Sequence, residues 1–306
     1  MPLTCDSTLL CGLTNVRDRY IVKYNFKNQK SHQKGLTGGI DMLRVLVNGA
    51  DGRMGSQVVK AVFEDPELEV AGGISITHVG EDVGDIAGVG HLGLIIRDDL
   101  GAALDDIKPD VVVDFTTPKV IFNNAKTCIE HGVNMVVGTT GLTAEQRHEL
   151  HALALEKKTS IFIAPNFSIG AVLMMKISTE VAPYLPDVEI IELHHNNKLD
   201  APSGTAIMTA DKIDAARKEA GVQPAPDKTH ESLDGARGAS VDGIPIHSVR
   251  LPGYIAHQQV LFGGYGELLT IRHDSMDRKS FMPGVVLAVK KVSSRPGLTF
   301  GLENYL

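Results

Sequence analysis

The sequence predicts an α/β protein: a Rossmann-type parallel-sheet domain plus a smaller α+β C-terminal domain with a mixed or antiparallel sheet. Three observations carry this. From Met42 to about residue 165, short apolar runs alternate with helical stretches at the spacing of a parallel sheet covered on both faces. A glycine-rich turn stands between the first such run and the first helix. After Pro165 the rhythm changes to a strand of alternating polarity, a long helix and several strands with short connections.

Taken in order, residues 43–48 form a short apolar run that reads as a buried parallel strand. A helix is expected over residues 53–63 and a strand over 68–74. Residues 79–93 are glycine-rich and read as loop. Residues 109–115 read as a buried strand, and Pro118 fits the start of a helix reaching about residue 130. Strands follow at 133–137 and 160–164, separated by a helix over 143–156 with Thr143 as its N-cap. In the second part, a helix ends near Pro183, residues 188–194 alternate like a half-buried strand, and residues 203–219 are helical. Residues 223–243, with Pro224, Pro226 and several glycines, read as loop. Strands are expected at 246–251, 260–262 and 268–271, then a final helix over 278–292 that packs back on the first domain. The division expected is 42–165 with the C-terminal segment 278–306 as the dinucleotide-binding domain, and 166–277 as the domain for substrate binding and oligomerisation.

Residues 1–41 stand apart. They carry Arg17, Arg19, Lys23, Lys27, Lys30 and Lys34 against Asp6, Asp18 and Asp41, with no helical or strand period. A secretory signal places its basic residues before an apolar stretch, and here that order is reversed. The segment reads as a disordered, dispensable extension ahead of Met42.

Composition narrows the function classes. The 306 residues suffice for two domains, and 43% hydrophobic residues supply two cores. A formal net charge of −7 opposes general nucleic-acid binding, and 5% aromatic residues without Trp offer no base-stacking surface. No apolar run approaches the roughly 20 residues of a membrane helix. Three scattered cysteines fit a reducing compartment, so a cytoplasmic protein is expected.

The turn Gly49-Ala50-Asp51-Gly52-Arg53-Met54-Gly55 has the ingredients of a phosphate cradle. Glycines permit a tight turn and close approach of phosphate to backbone N–H groups, and the helix start adds partial positive charge. A lone glycine turn is an ordinary strand–helix connection. Its place after a buried strand, and the polar ends of later strands, favour a dinucleotide. Those ends are Phe115-Thr116-Thr117, Gly138-Thr139-Thr140 and Ala164-Pro165-Asn166-Phe167. The acid that usually follows the second strand and binds the ribose of NAD is absent, because Ser75 stands there. NADH and NADPH both stay open.

The segment His194-His195-Asn196-Asn197-Lys198-Leu199-Asp200-Ala201-Pro202-Ser203-Gly204-Thr205 concentrates the chemistry. Two histidines and a lysine can supply protons, and a helix opening at Ser203 with Ser and Thr hydroxyls can hold an anion. A metal reading of His194 and His195 lacks Cys or carboxylate ligands at suitable spacing, so no metal is assigned. The residues describe a pocket for a carboxylate-bearing substrate beside a proton donor.

Those two segments, with Gly138-Thr139-Thr140-Gly141 and the stretches 243–250 and 284–288, resemble the 4-hydroxy-tetrahydrodipicolinate reductase (dihydrodipicolinate reductase) family over essentially all of residues 42–306. The resemblance implies an NAD(P)H-dependent oxidoreductase of lysine and diaminopimelate biosynthesis, acting on a cyclic dicarboxylate. It implies His194 and Lys198 as the acid pair, and His195, Gly204 and Thr205 as substrate-binding residues. It assigns Gly49, Ala50, Asp51, Gly52, Arg53, Met54, Gly138, Thr139, Thr140, Ala164, Pro165, Asn166 and Phe167 to the cofactor. Arg278 and Phe281 match more loosely near the cofactor. It further implies a homotetramer assembled through the C-terminal sheet. A semialdehyde dehydrogenase would need a nucleophilic cysteine, whereas Cys128 falls inside an expected helix. A nucleotide sensor without turnover would have no need of His194, His195 and Lys198.

Overall fold

The computed structural model describes residues 42–306, and the expectation for residues 1–41 lies outside them. The first sheet is built from apolar runs that bury both faces. Strands β1 (Leu43–Asn48), β2 (Leu68–Ile74), β4 (Val111–Asp114), β5 (Asn134–Val137) and β6 (Ser160–Ile163) lie where the sequence predicts them. Val45, Leu46, Val47, Val112, Val113, Val136 and Phe162 have no exposed surface. Helices α1 (Gly55–Glu64), α4 (Ile121–Glu130) and α5 (Ala144–Lys157) connect them. Helix α5 opens with a reciprocal cap, in which Thr143 accepts from the Gln146 N–H and Gln146 accepts from the Thr143 N–H.

Two unanticipated strands complete this sheet, β3 (Ile96–Arg97) and β12 (Gly297–Phe300), giving the order β12-β6-β5-β4-β1-β2-β3, all parallel. The chain runs outward in opposite directions from the adjacent pair β1 and β4. That reversal opens a crevice at their carboxyl ends.

The expected loop over 79–93 contains helix α2 (Val83–Ala87). Asp82 explains it: one carboxylate accepts from the N–H groups of Gly84, Asp85, Leu92 and Leu94. Burial alone would raise this carboxyl, but those N–H bonds outweigh it and hold it down at about 2. Helix α3 (Leu100–Ile107), capped by Asp99, was also not anticipated.

After helix α6 (Ile169–Val181) the second sheet forms. Its strands are β7 (Asp187–His194), β8 (Ala239–Val241), β9 (Ile244–Arg250), β10 (Ala256–Gly264) and β11 (Glu267–Ser275), in the order β11-β10-β7-β9-β8. Only β7 and β9 run parallel, so the sheet is mixed. Strand β8 corrects the expectation of loop throughout 223–243. Helices α6 and α7 (Gly204–Ala220) cover one face, where Ile190, Val260 and Phe262 are fully buried. On the opposite side Ile191, Gln259 and Leu261 stay partly exposed.

The expected single helix over 278–292 is a 3-10 turn, Arg278–Phe281, followed by α8 (Met282–Lys291). Pro283 sits in the first turn of α8, where its missing N–H costs nothing. Gly284 lets α8 lie against the loop after β6, since a Cβ there would stand 2.0 Å from the Phe167 carbonyl oxygen. Tyr305 then stacks on Phe162 at 4.5 Å, so the chain ends against the first sheet.

Candidate active site

The crevice at the β1–β4 junction is tight by construction. Gly49 has φ +80°, and a Cβ on it would stand 2.8 Å from the Phe115 carbonyl oxygen. A Cβ on Gly138 would strike the Phe115 ring at 2.0 Å. Both substitutions would close the gap between neighbouring strand ends.

A buried carboxylate ties those ends together. Asp114, at the end of β4, accepts from Asn48 Nδ2 at 2.8 Å, Thr139 Oγ1 at 2.9 Å and Asn124 Nδ2 at 2.9 Å. It also accepts the Thr116 N–H and hydroxyl. The loops carrying Gly49 and Thr139 are thus fixed through one residue that sequence reasoning passed over. Its only signal is a polar side chain closing a wholly buried run.

The residues present fit a dinucleotide. The N–H groups of Arg53 and Met54 have no hydrogen-bond partner among the described residues, at the start of α1. Unpaired N–H groups at a helix N-terminus are what a pyrophosphate binds. Ala50 is buried, Asp51, Gly52 and Met54 are half-buried, and Arg53 is exposed. Thr140, in the loop after β5, is exposed, and Ala164 and Phe167 are buried.

The segment His194 to Thr205 runs from the end of β7 to the start of α7. Ser203 caps α7 by accepting the Ala206 N–H. The N–H groups of Gly204 and Thr205 have no partner among the described residues, and a Cβ on Gly204 would meet nothing within 4 Å. An anion can therefore approach this helix start. Lys198 pairs with Asp200 at 2.7 Å across a turn closed by its own N–H on the His195 carbonyl. That contact holds the Asp200 carboxyl below its usual range.

His194 is held from behind. Its Nδ1 lies 2.5 Å from Glu192 Oε2, and Glu192 has no exposed surface. Arg250 grips the same carboxylate at 2.8 and 2.7 Å and also donates to the Asp200 carbonyl at 2.7 Å. The Ser203 N–H completes the set at 3.2 Å. Burial would raise the Glu192 carboxyl, but hydrogen bonds from His194, Arg250 and Ser248 hold it at about 2. A carboxylate only accepts, so the His194 proton sits on Nδ1 and Nε2 remains free for chemistry.

One cavity of about 180 Å³ gathers residues from both halves of the sequence reading. Pro165 and Asn166 line it with His194 and Thr205, and Asn166 Nδ2 lies 3.4 Å from Thr205 Oγ1. His195, Lys198 and Gly204 do not line it. Phe281 lines it, whereas Arg278 does not.

The same cavity holds residues the sequence reading missed: Gln258, His273, His257 and Ser275. Register explains Gln258 and His273. Ser248, Glu192, Gln258 and His273 lie directly opposite one another on β9, β7, β10 and β11. His273 Nε2 lies 3.0 Å from Ser168 Oγ, and its burial pushes the imidazole below its usual range. His257 bonds Asp274 at 2.7 Å through Nδ1 and takes the Ile255 N–H on Nε2, which assigns its proton to Nδ1.

Comparison with known proteins decides the family. The model of the dihydrodipicolinate reductase N-terminus matches residues 43–167, and that of its C-terminus matches residues 170–306. The chain belongs to the dihydrodipicolinate reductase family. It is 50% identical over 263 residues to the 4-hydroxy-tetrahydrodipicolinate reductase of Syntrophomonas wolfei, covering 86% of this chain and 98% of that one. It is 52% identical over 264 residues to the Listeria monocytogenes enzyme of the same name, covering 86% and 100%. A solved dipicolinate-bound dihydrodipicolinate reductase from Paenisporosarcina sp. TG-14 matches with TM-score 0.78 and 45% identity, covering 87% and 100%. An amine dehydrogenase from Mycobacterium smegmatis, at 18% identity and TM-score 0.58, shares the fold alone. The family is one of NAD(P)H-dependent oxidoreductases, and the Rossmann-type sheet is its nucleotide-binding half.

Proposed function

We infer that this chain reduces 4-hydroxy-2,3,4,5-tetrahydrodipicolinate to tetrahydrodipicolinate with loss of water, in lysine and diaminopimelate biosynthesis. The observation that carries this reading is the shared cavity, where Pro165 and Asn166 from the crevice meet His194 and Thr205 at the α7 N-terminus. The cofactor, NADH or NADPH, supplies a hydride when bound. Gly49 to Met54, Gly138 to Thr140 and Ala164 to Phe167 hold and orient it.

The chain's own groups do the rest. The Gly204 and Thr205 N–H groups and His195 bind a substrate carboxylate. Lys198 exchanges Asp200 for the substrate and, with His194, protonates the carbon adjacent to the one reduced. Positive charge and helix N–H groups fixed at this point stabilise charge as the ring is reduced. Cofactor absorbance with substrate generated in situ tests the reaction. Substrate-dependent loss of absorbance is expected, and no loss with either nucleotide overturns it.

The same reading divides the chain into residues 42–165 with 278–306 for the dinucleotide and 166–277 for substrate and assembly. The return of β12 to the first sheet supports that division. We read the protein as a cytoplasmic homotetramer joined through the sheet face bearing Ile191, Gln259 and Leu261, which α6 and α7 leave uncovered. Light scattering should return the mass of four chains, and a monomer at working concentration opposes it.

A further inference from the structure

The cofactor preference that Ser75 leaves open in the sequence has a second source in the fold. In dinucleotide-binding sheets an acid at the end of the second strand accepts hydrogen bonds from the adenosine ribose. Here Ser75 is buried and occupied locally, accepting the Thr77 N–H at 3.1 Å, with its hydroxyl 3.3 Å from that of Thr77.

A carboxylate reaches the same place from another element. The N–H groups of Gly49 and Ala50 both bond the Ile74 carbonyl, at 2.8 and 3.0 Å, which clamps the glycine turn to the end of β2. Asp51 follows directly and accepts the Thr77 hydroxyl. We propose that Asp51 replaces the missing acid of β2, accepts the adenosine ribose 2′-hydroxyl, and makes the enzyme prefer NADH over NADPH. The proposal rests on the cofactor reading of this crevice.

The local charge supports it. Burial would raise the Asp51 carboxyl, but the Ser75 and Thr77 hydroxyls, its own N–H and nearby His78 hold it below its usual range, so it is anionic at neutral pH. Of the neighbouring basic side chains, His78 bonds Glu81 at 2.9 Å and Arg97 bonds Asp106 at 2.8 Å. Of these three basic side chains, Arg53, two positions from Asp51, is the one with no ion-pair partner among the described residues. A 2′-phosphate would meet one free cation and a fixed carboxylate, whereas a 2′-hydroxyl meets a ready acceptor. Like charges brought together at a binding surface discriminate strongly against the wrong ligand.

The test is calorimetric titration of the full chain with NADH and with NADPH, without substrate, so affinity and not turnover is read. NADH should bind at least about tenfold more tightly. Asp51→Asn should shrink that ratio by about tenfold, chiefly through tighter NADPH binding. Asp51→Ser, which keeps a small polar group, should shrink it similarly, and matching thermal melts show that both variants fold. Equal or tighter NADPH binding by the unmodified chain, or a ratio unchanged in both variants, overturns the proposal. Binding of neither nucleotide overturns the cofactor reading itself, and the proposal with it.

Discussion

Replacing Lys198 with Ala is expected to lower kcat by about 10²–10³-fold while leaving the dissociation constant of the nicotinamide cofactor unchanged. Lys198 lies on the turn between β7 and α7 and pairs with Asp200, not with any residue of the glycine turn or of the β4 and β5 ends. On the proposed assignment its removal takes away a proton donor and a carboxylate partner without disturbing the cofactor crevice. Single-turnover rates and nucleotide titrations on the same preparation separate the two effects. Equal losses in turnover and in cofactor affinity would place Lys198 in the nucleotide site and contradict the assignment.

Breaking the Glu192–Arg250 pair should be the most damaging change to both stability and activity. Glu192 is fully buried, and His194, both terminal nitrogens of Arg250 and the Ser203 N–H all bond it. Glu192→Ala leaves a mostly buried guanidinium uncompensated and His194 without its Nδ1 partner. Removing one member of such a pair costs about 3–5 kcal/mol, on the order of 10 °C in melting temperature for a domain of this size. Turnover should fall as well, because the free Nε2 of His194 is no longer aimed. Acid sensitivity follows from the same group. The folded Glu192 carboxyl titrates at about 2, below its ordinary 4.5, so its stabilisation is complete above about pH 4.5 and is lost as pH falls toward 2. Glu192→Gln, which keeps the shape, should remove that part of the acid dependence. An unchanged melting temperature together with an unchanged acid limb would show that the pair is dispensable.

Much of the fold was legible because its signals are local. Strands β1 and β2 are apolar runs bounded by turns, α5 announces its cap through Thr143 and Gln146, and α7 begins at Ser203 as its hydroxyl demands. What escaped depends on distant partners. Strand β12 is only four residues long and exists by pairing with β6 across the chain. Helix α3 is the exception, since Leu100, Ala103, Leu104 and Ile107 stand at helical spacing behind the Asp99 cap and its signal was local. Helix α2 forms around a carboxylate whose donors lie up to twelve residues ahead.

The site divides in the same way. His194, His195, Lys198, Gly204 and Thr205 share one contiguous segment whose residue types state their chemistry. Gln258 and His273 enter the cavity through strand register, which no local pattern reveals. Arg250 lies 58 positions from the carboxylate it grips. Asp51 was visible only as one member of a glycine turn, and its contact with Thr77 is a property of the folded chain.

The central claim is that a cyclic dicarboxylate is held at the α7 N-terminus beside the nicotinamide. The most direct test is a crystal structure of the chain with NADH and pyridine-2,6-dicarboxylate. One carboxylate should accept from the Gly204 and Thr205 N–H groups, with Lys198 turned from Asp200 toward it and the ring in the cavity lined by His194, Pro165 and Asn166. A dicarboxylate bound elsewhere, with those N–H groups left to solvent, would contradict the account.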